Sequence, residues 1–159
     1  MSGPLKDSAQ RVQNRLSELG YTNEVVELAH YARTAQEAAD AIGCDVAQIA
    51  KSIIFRLEDK NLPLLVVASG ANRINETKLS LHLHERIGKA DAGFVLEHTG
   101  FAIGGIPPLG HRKSLTTIVD EDLFRFPTIW AAAGHPQALF ALTPQQLVEM
   151  TQGQVMTVK

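Results

Sequence analysis

Two runs rich in β-branched and aromatic residues, Ser52-Ile53-Ile54-Phe55-Arg56-Leu57 and Leu64–Ser69, flank the short polar segment Asp59-Lys60-Asn61-Leu62-Pro63. A parallel connection between two strands needs a crossover of a dozen or more residues, so runs this close pair as an antiparallel hairpin. The hairpin commits the chain to a sheet, and the remaining segments must cover it. Residues 8–19 place Val12, Leu16 and Leu19 on one helical face behind Ser8, with Gly20 as a stop. An apolar stretch, Val25 to Ala29, precedes Thr34-Ala35-Gln36-Glu37, which has the spacing of a capping box, and Gly43 ends that helix. Asp45-Val46-Ala47-Gln48 repeats the box, which puts Lys51 at a helix-to-strand junction.

Further on, Asn75 is expected to cap a helix to about Ile87, with Leu79, Leu83 and Ile87 on one stripe. Asp91 is expected to cap a shorter helix to about His98, closed by Gly100. Short strands are expected at Phe101–Ile103, Leu115–Val119, Thr128–Ala133, Ala138–Ala141 and Gln154–Val158, and a last helix at 144–151 behind Thr143. Strands with irregularly interspersed short helices predict an α+β (mixed α/β) fold around one sheet, not a regular βαβ array. At 159 residues the chain is expected to be a single domain, 1–159.

The 15 Lys+Arg and 17 Asp+Glu give a net charge of −2, so no global positive field draws the protein to a polyanion, and any such partner must be met by a local patch. The one cysteine, Cys44, allows no internal disulfide, zinc ribbon or C-x-x-C pair, and reads as a packing residue at a helix end. No apolar stretch follows Lys6, and the longest apolar runs, such as Leu62–Ala68, fall far short of the ~20 residues of a membrane helix. A cytoplasmic protein is the expectation.

Chemistry is sparse and local. Gly104-Gly105-Ile106-Pro107-Pro108-Leu109-Gly110-His111-Arg112-Lys113 combines glycines, whose amides can approach a ligand, with prolines that stiffen the loop, and it ends in basic residues suited to a phosphate. On spacing alone it reads first as a tight turn with a solvated basic tip. Lys51 before an apolar strand could be a fixed positive charge at a pocket mouth, though a lone lysine reads first as a surface residue. His135, between Gly134 and Pro136, could reach a cavity at the end of a sheet, or be a hydrogen-bonded turn histidine. His82 and His84 are two apart on a helix and point to different faces, so no metal pair is read there. Asp120-Glu121-Asp122 reads as a solvated turn or helix start. No Ser-His-Asp or paired-carboxylate set can be picked out by spacing.

Three separated segments agree on a resemblance: Thr34-Ala35-Gln36-Glu37-Ala38-Ala39, Gln48-Ile49-Ala50-Lys51-Ser52-Ile53-Ile54-Phe55, and Gly100-Phe101-Ala102-Ile103-Gly104-Gly105-Ile106-Pro107-Pro108. Together they resemble the YbaK/ProX family of trans-editing aminoacyl-tRNA deacylases, which is similar to the editing domain inserted in bacterial prolyl-tRNA synthetases. The resemblance implies a largely antiparallel, partly barrel-like sheet and hydrolysis of a wrong amino acid from tRNA, typically the tRNA for proline. It implies no cofactor and no metal. It makes Lys51 the first choice for catalysis with Gly104, Gly105 and Ile106, and implies substrate contacts from Thr34, Pro107, Pro108, His111 and His135. Arg73, Lys78, Arg112 and Lys113, with Arg86 and Lys89, are expected to form a basic rim for the tRNA acceptor end, and prolyl-tRNA synthetase is an expected partner. His135-Pro136 is similar to the His-Pro of the alanine-editing branch, whereas Gln137-Ala138-Leu139 differ from its continuation. Three readings stay open: removal of alanine or another small residue from tRNA(Pro), removal of cysteine, and a module that binds aminoacyl-tRNA or a synthetase without catalysis.

Overall fold

The hairpin expected from residues 52–69 forms the centre of a mixed eight-stranded sheet in the computed structural model, which describes residues 5–159. Met1–Pro4, the start of the stretch read for a leader, lie outside the described residues. In chain order the strands are β1 (Val25–Glu27), β2 (Ile49–Leu57), β3 (Leu62–Ser69), β4 (Ile87–Lys89), β5 (Thr116–Asp120), β6 (Ile129–Ala132), β7 (Ala138–Leu142) and β8 (Gln154–Met156). The helices are α1 (Asp7–Glu18), α2 (Ala35–Ile42), α3 (Glu76–Leu83), α4 (Ala92–Thr99) and α5 (Pro144–Thr151). The spatial order is β1-β7-β6-β2-β3-β5-β8, with β4 also on β2. Four of the seven ladders are antiparallel, and β2·β6, β3·β5 and β5·β8 are parallel. No helix among the described residues is long and apolar enough to cross a membrane.

The composition of β3 follows from its position. Leu64, Val66 and Ala68 enter one apolar cluster with Leu79 of α3 and Val158, while Leu65 and Val67 enter another with Val12 and Leu16 of α1, Val95 of α4 and Leu147 of α5. A strand covered on both faces reads as a continuous apolar run because neither alternating set meets water.

Capping at four of the five helices is local and follows the sequence. The Thr34 hydroxyl accepts the Glu37 amide at 3.1 Å, and Asn75, Asp91 and Thr143 cap α3, α4 and α5 in the same way. Asp45 and Gln48 form a full box around a 3-10 turn at Val46–Gln48. At α1 the side-chain cap expected from Ser8 is absent, since the helix begins one residue earlier, after Lys6.

Three expectations are corrected. The helix from Asn75 stops at Leu83: His84 takes a left-handed conformation at φ 54°, and Ile87 pairs with Leu57 in β4 instead of continuing the helical stripe. Phe101–Ile103 is irregular because the Thr99 hydroxyl donates to the Val95 carbonyl at 2.7 Å and accepts the Phe101 amide at 3.0 Å, which turns the chain into a loop as α4 ends. The acidic run is not all solvated. Asp120 is 1% exposed, and its carboxylate accepts the amides of Ser69 and Asp122, each at 2.9 Å, and the Asn72 side chain at 2.8 Å. It ties the end of β3 to the end of β5.

Asp120→Ala would leave the Ser69 and Asp122 amides without this acceptor, while the Asn72 side chain keeps Asp122 as one, at a cost of about 3 kcal/mol. Urea unfolding is expected to show that loss, whereas Glu121→Ala, on an exposed side chain, is expected to stay within about 0.5 kcal/mol of the parent.

Candidate active site

One edge of β2 is divided between two neighbours. β6 pairs in parallel with Ile49 and Ala50, and β4 pairs antiparallel with Phe55–Leu57. Between them Lys51, Ser52, Ile53 and Ile54 have no strand on that edge among the described residues, although on the other edge all four pair with β3. A cavity of about 390 Å³ lies at this gap. Its lining includes Lys51 and Ser52 of β2, Ala132 of β6, Ala138 and Leu139 of β7, Arg33 and Thr34 ahead of α2, and Gly104–Ile106.

Main-chain contacts hold the glycine loop in place. The Gly134 amide donates to the Gly105 carbonyl at 2.7 Å, and a Cβ on Gly105 would lie 2.6 Å from the backbone nitrogen and carbonyl carbon of His135. Only glycine allows that approach. Gly104 has φ +108°, outside the range of ordinary side chains. Among the described residues no protein acceptor takes the amides of Gly104 or Ile106, and the Gly105 amide closes only a weak turn on Ala102, so main-chain donors beside the cavity remain open to a ligand.

The strand gap adds a cation to the same lining, Lys51. No ion pair among the described residues engages Lys51. No carboxylate lines the cavity, and Arg33 adds a second positive charge. The walls are small: Ala32, Ala35, Ala38, Ala50, Ala132 and Ala138 all contribute. The Ser52 hydroxyl is buried and has no hydrogen-bond partner among the described residues. Thr34 lines the cavity, but its hydroxyl already serves the cap of α2.

His135 is fixed by its own turn. Its Nδ1 accepts the Gln137 amide at 3.1 Å, so in the neutral imidazole the proton sits on Nε2 and that atom is a donor. The Tyr31 ring lies 5.7 Å away, tilted by 33°. The Pro136 carbonyl accepts the Ala32 amide at 3.1 Å, binding this turn to the segment that leads into α2.

The structure thus brings together Lys51, Gly104, Gly105, Ile106, Thr34 and His135 from the sequence expectation. Pro107, Pro108 and His111 stand apart from this lining. Pro108 and His111 line a second cavity, of about 410 Å³, and His111 is engaged with the Pro107 carbonyl. The basic residues do not line the first cavity either: Lys78 donates to the Lys159 carbonyl at 2.7 Å, Arg86 pairs with Asp59, and Lys113 borders the second cavity. Arg112 packs over Gly100, and Arg73 is exposed. Arg33 and Ser52 are not singled out by the sequence, where their one signal is adjacency to Thr34 and Lys51, and nothing in the sequence marks Tyr31 as the neighbour of His135. Cys44 is partly buried against the Ala38–Ala39 cluster, and burial pushes its thiol up, away from a reactive thiolate.

The sequence profile of the aminoacyl-tRNA editing domain matches residues 30–150. The chain is 31% identical over 144 residues to the uncharacterized protein YwhH of Bacillus subtilis, with 91% of each covered. It is also 31% identical over 96 residues to the proline–tRNA ligase of Limosilactobacillus fermentum, a match spanning 58% of this chain and 17% of the ligase. Among solved structures it matches, at a TM-score of 0.93 and 44% identity over 98% of this chain and 99% of the other, one described as a candidate trans-editing enzyme for prolyl-tRNA synthetase.

Gly105→Ala would drive a methyl into the His135 backbone and is expected to lower stability by about 1–3 kcal/mol. Gly93→Ala is the control: it sits in α4 with only ordinary contact at 3.5 Å, and is expected to be neutral or to stabilise by up to ~1 kcal/mol. Paired urea unfolding curves measure both.

Proposed function

The chain belongs to the aminoacyl-tRNA editing domain family and is an aminoacyl-tRNA deacylase; from that premise we propose that it removes a small, wrongly attached amino acid, alanine foremost, from the tRNA for proline. The observation that carries this reading is the convergence of unengaged main-chain amides and an unpaired lysine on one alanine-walled cavity.

The bond to be broken is an ester, already activated toward water. Attack by water on the acyl carbon forms a tetrahedral intermediate whose charge collects on the former carbonyl oxygen. The amides of Gly104, Gly105 and Ile106 are placed to donate to that oxygen or to orient the acyl group, and they need little rearrangement because the loop is already clamped on His135. Collapse of the intermediate expels the ribose oxygen, which takes a proton, and releases the free amino acid. Lys51 and Arg33 supply positive charge for the terminal adenosine's phosphate, and Lys51 can also donate to a ribose hydroxyl.

The protein offers no ready covalent route. Ser52 has no base hydrogen-bonded to it and Thr34 is committed to its cap. In its neutral form His135 presents a donor at Nε2 and not a base. The neighbouring 2′- or 3′-hydroxyl of the substrate can orient the attacking water, which accounts for a site without a general base of its own.

Selectivity against proline follows from the walls. Six alanines and the Gly105–His135 contact leave room for a short side chain beside the ribose, while the pyrrolidine ring adds bulk and ties up the amino group. A single methylene is worth only ~1–3 kcal/mol in such a pocket, so the expected preference is graded across alanine, serine and cysteine and steep only against proline. The tRNA acceptor end is the partner, with prolyl-tRNA synthetase as the source of the mischarged substrate. Of the expected basic rim, Arg112 and Lys113 continue directly from the glycine loop and are placed to meet the acceptor strand. Arg73 precedes α3, and Lys78 lies in its first turn.

Deacylation of alanyl-, seryl-, cysteinyl- and prolyl-tRNA(Pro) tests the reading. Alanyl-tRNA(Pro) is expected to be cleaved fastest and prolyl-tRNA(Pro) spared. Lys51→Ala is expected to lower kcat/KM on the alanyl ester by ~10²–10³. Unchanged activity in that variant would remove Lys51 from the mechanism, and binding of charged tRNA without hydrolysis of any ester would overturn the reading.

A further inference from the structure

The loop that carries the catalytic amides is a partition between two cavities. Residues 104–106 line the first, and Pro108, Leu109, Gly110 and His111 line the second. Its ends are tied together where the Arg112 amide donates to the Thr99 carbonyl at 3.2 Å, which makes residues 100–111 a closed surface loop. Two anchors hold its middle. One is the Gly134 amide on the Gly105 carbonyl. The other is a side chain: Nε2 of His111 lies 2.7 Å from the Pro107 carbonyl.

The chemistry of that second anchor is unambiguous. A carbonyl oxygen only accepts, so Nε2 carries the proton and donates. Pro107 and Pro108 have no N–H, so neither can contribute a main-chain donor to fix the loop between Ile106 and Leu109. Of the carbonyls of Ile106, Pro107 and Pro108, that of Pro107 is the one engaged among the described residues, and His111 holds it. The ring is itself braced edge-on against Phe101, centroids 6.3 Å apart at 87°, and the Arg11 guanidinium lies 4.3 Å from the Phe101 ring centre. Burial pushes the His111 pKa down, which keeps the ring neutral near pH 7.

We infer that His111 is a positioning residue for deacylation: by holding the Pro107 carbonyl from the far side of the loop, it sets the direction in which the Gly104, Gly105 and Ile106 amides meet the acyl oxygen. This deepens the proposed function and rests on it. His111 touches no substrate; its effect falls on the transition state and not on capture of the tRNA. Misplacing a catalytic group by about 1 Å can cost ~10² in rate, so loss of the clamp is expected to show in kcat.

The test compares the full-length wild type with His111→Phe, which keeps a ring and loses the donor, and His111→Gln, whose side-chain amide restores a donor at similar reach. With alanyl-tRNA(Pro), H111F is expected to lose 10-fold or more in kcat with KM within about 2-fold, and H111Q to recover to within about 3-fold of wild type. In the free protein, the amide resonances of Gly104, Gly105 and Ile106 are expected to shift in H111F and return toward wild-type positions in H111Q. Unchanged kcat in H111F, a loss confined to KM, or equal loss in both variants would overturn the inference. If H111F does not fold, His111→Asn, too short to reach Pro107, carries the same comparison. Should the wild type hydrolyse no ester, the functional reading fails on its own, and the amide resonances still decide whether His111 sets the loop.

Discussion

The peptide of Gly105 packs directly on the backbone of His135, at a distance no side chain could share, and the Gly134 amide closes the contact by donating to the Gly105 carbonyl. Two loops from distant parts of the chain are thereby fused into one wall. The contact fixes where the amides of residues 104–106 stand, and it sets His135 and Pro136 at the cavity's edge. Because the Pro136 carbonyl also takes the Ala32 amide, the same wall anchors the entry to α2, and with it Arg33 and Thr34. The cavity is rigid on this side because its polar contacts are main chain to main chain.

The lining at Lys51 depends on a different constraint, the division of one strand edge between β6 and β4. A strand paired on both edges throughout would leave no opening, and a strand with a wholly free edge would invite pairing with another chain. The divided edge avoids both and leaves Lys51 and Ser52 at a protected gap. The burial of Asp120, which joins the ends of β3 and β5, keeps the partner strand of that gap in place. Charge and shape then act together: two cations and no carboxylate suit a phosphate-bearing substrate, and alanine walls limit what can be attached to it.

Much of the local structure was legible because its determinants are local. The hairpin of β2 and β3 needed only a short polar turn between two apolar runs, and the caps at Thr34, Asn75, Asp91 and Thr143 needed only a side chain within three residues of an orphan amide. Failures arose where a distant partner decided the outcome. Ile87 continues the helical stripe of Leu79 and Leu83, yet Leu57 draws it into a strand. Phe101 looks like strand material, yet Thr99 turns it into a loop anchor. Asp120 belongs to an acidic run that reads as solvated until the β3–β5 pairing brings to it Ser69 and Asn72, 51 and 48 residues away in the chain.

The site was legible in a similarly divided way. Glycines and prolines marked the loop, but nothing in spacing could reveal that Lys51, residues 104–106 and His135 meet; that expectation came from the resemblance of three separated segments. The resemblance groups His111 with the substrate-contacting residues, and only the fold shows that its ring turns back on Pro107.

The most direct measurement is a crystal structure of the protein with a non-hydrolysable analogue of 3′-alanyl-adenosine in which an amide replaces the ester. The acyl oxygen is expected within about 3 Å of at least one amide of Gly104, Gly105 or Ile106, with the Lys51 ammonium on the ribose or phosphate side. An analogue seated in the second cavity, or lying in the first with its acyl group turned away from those amides, would contradict the account.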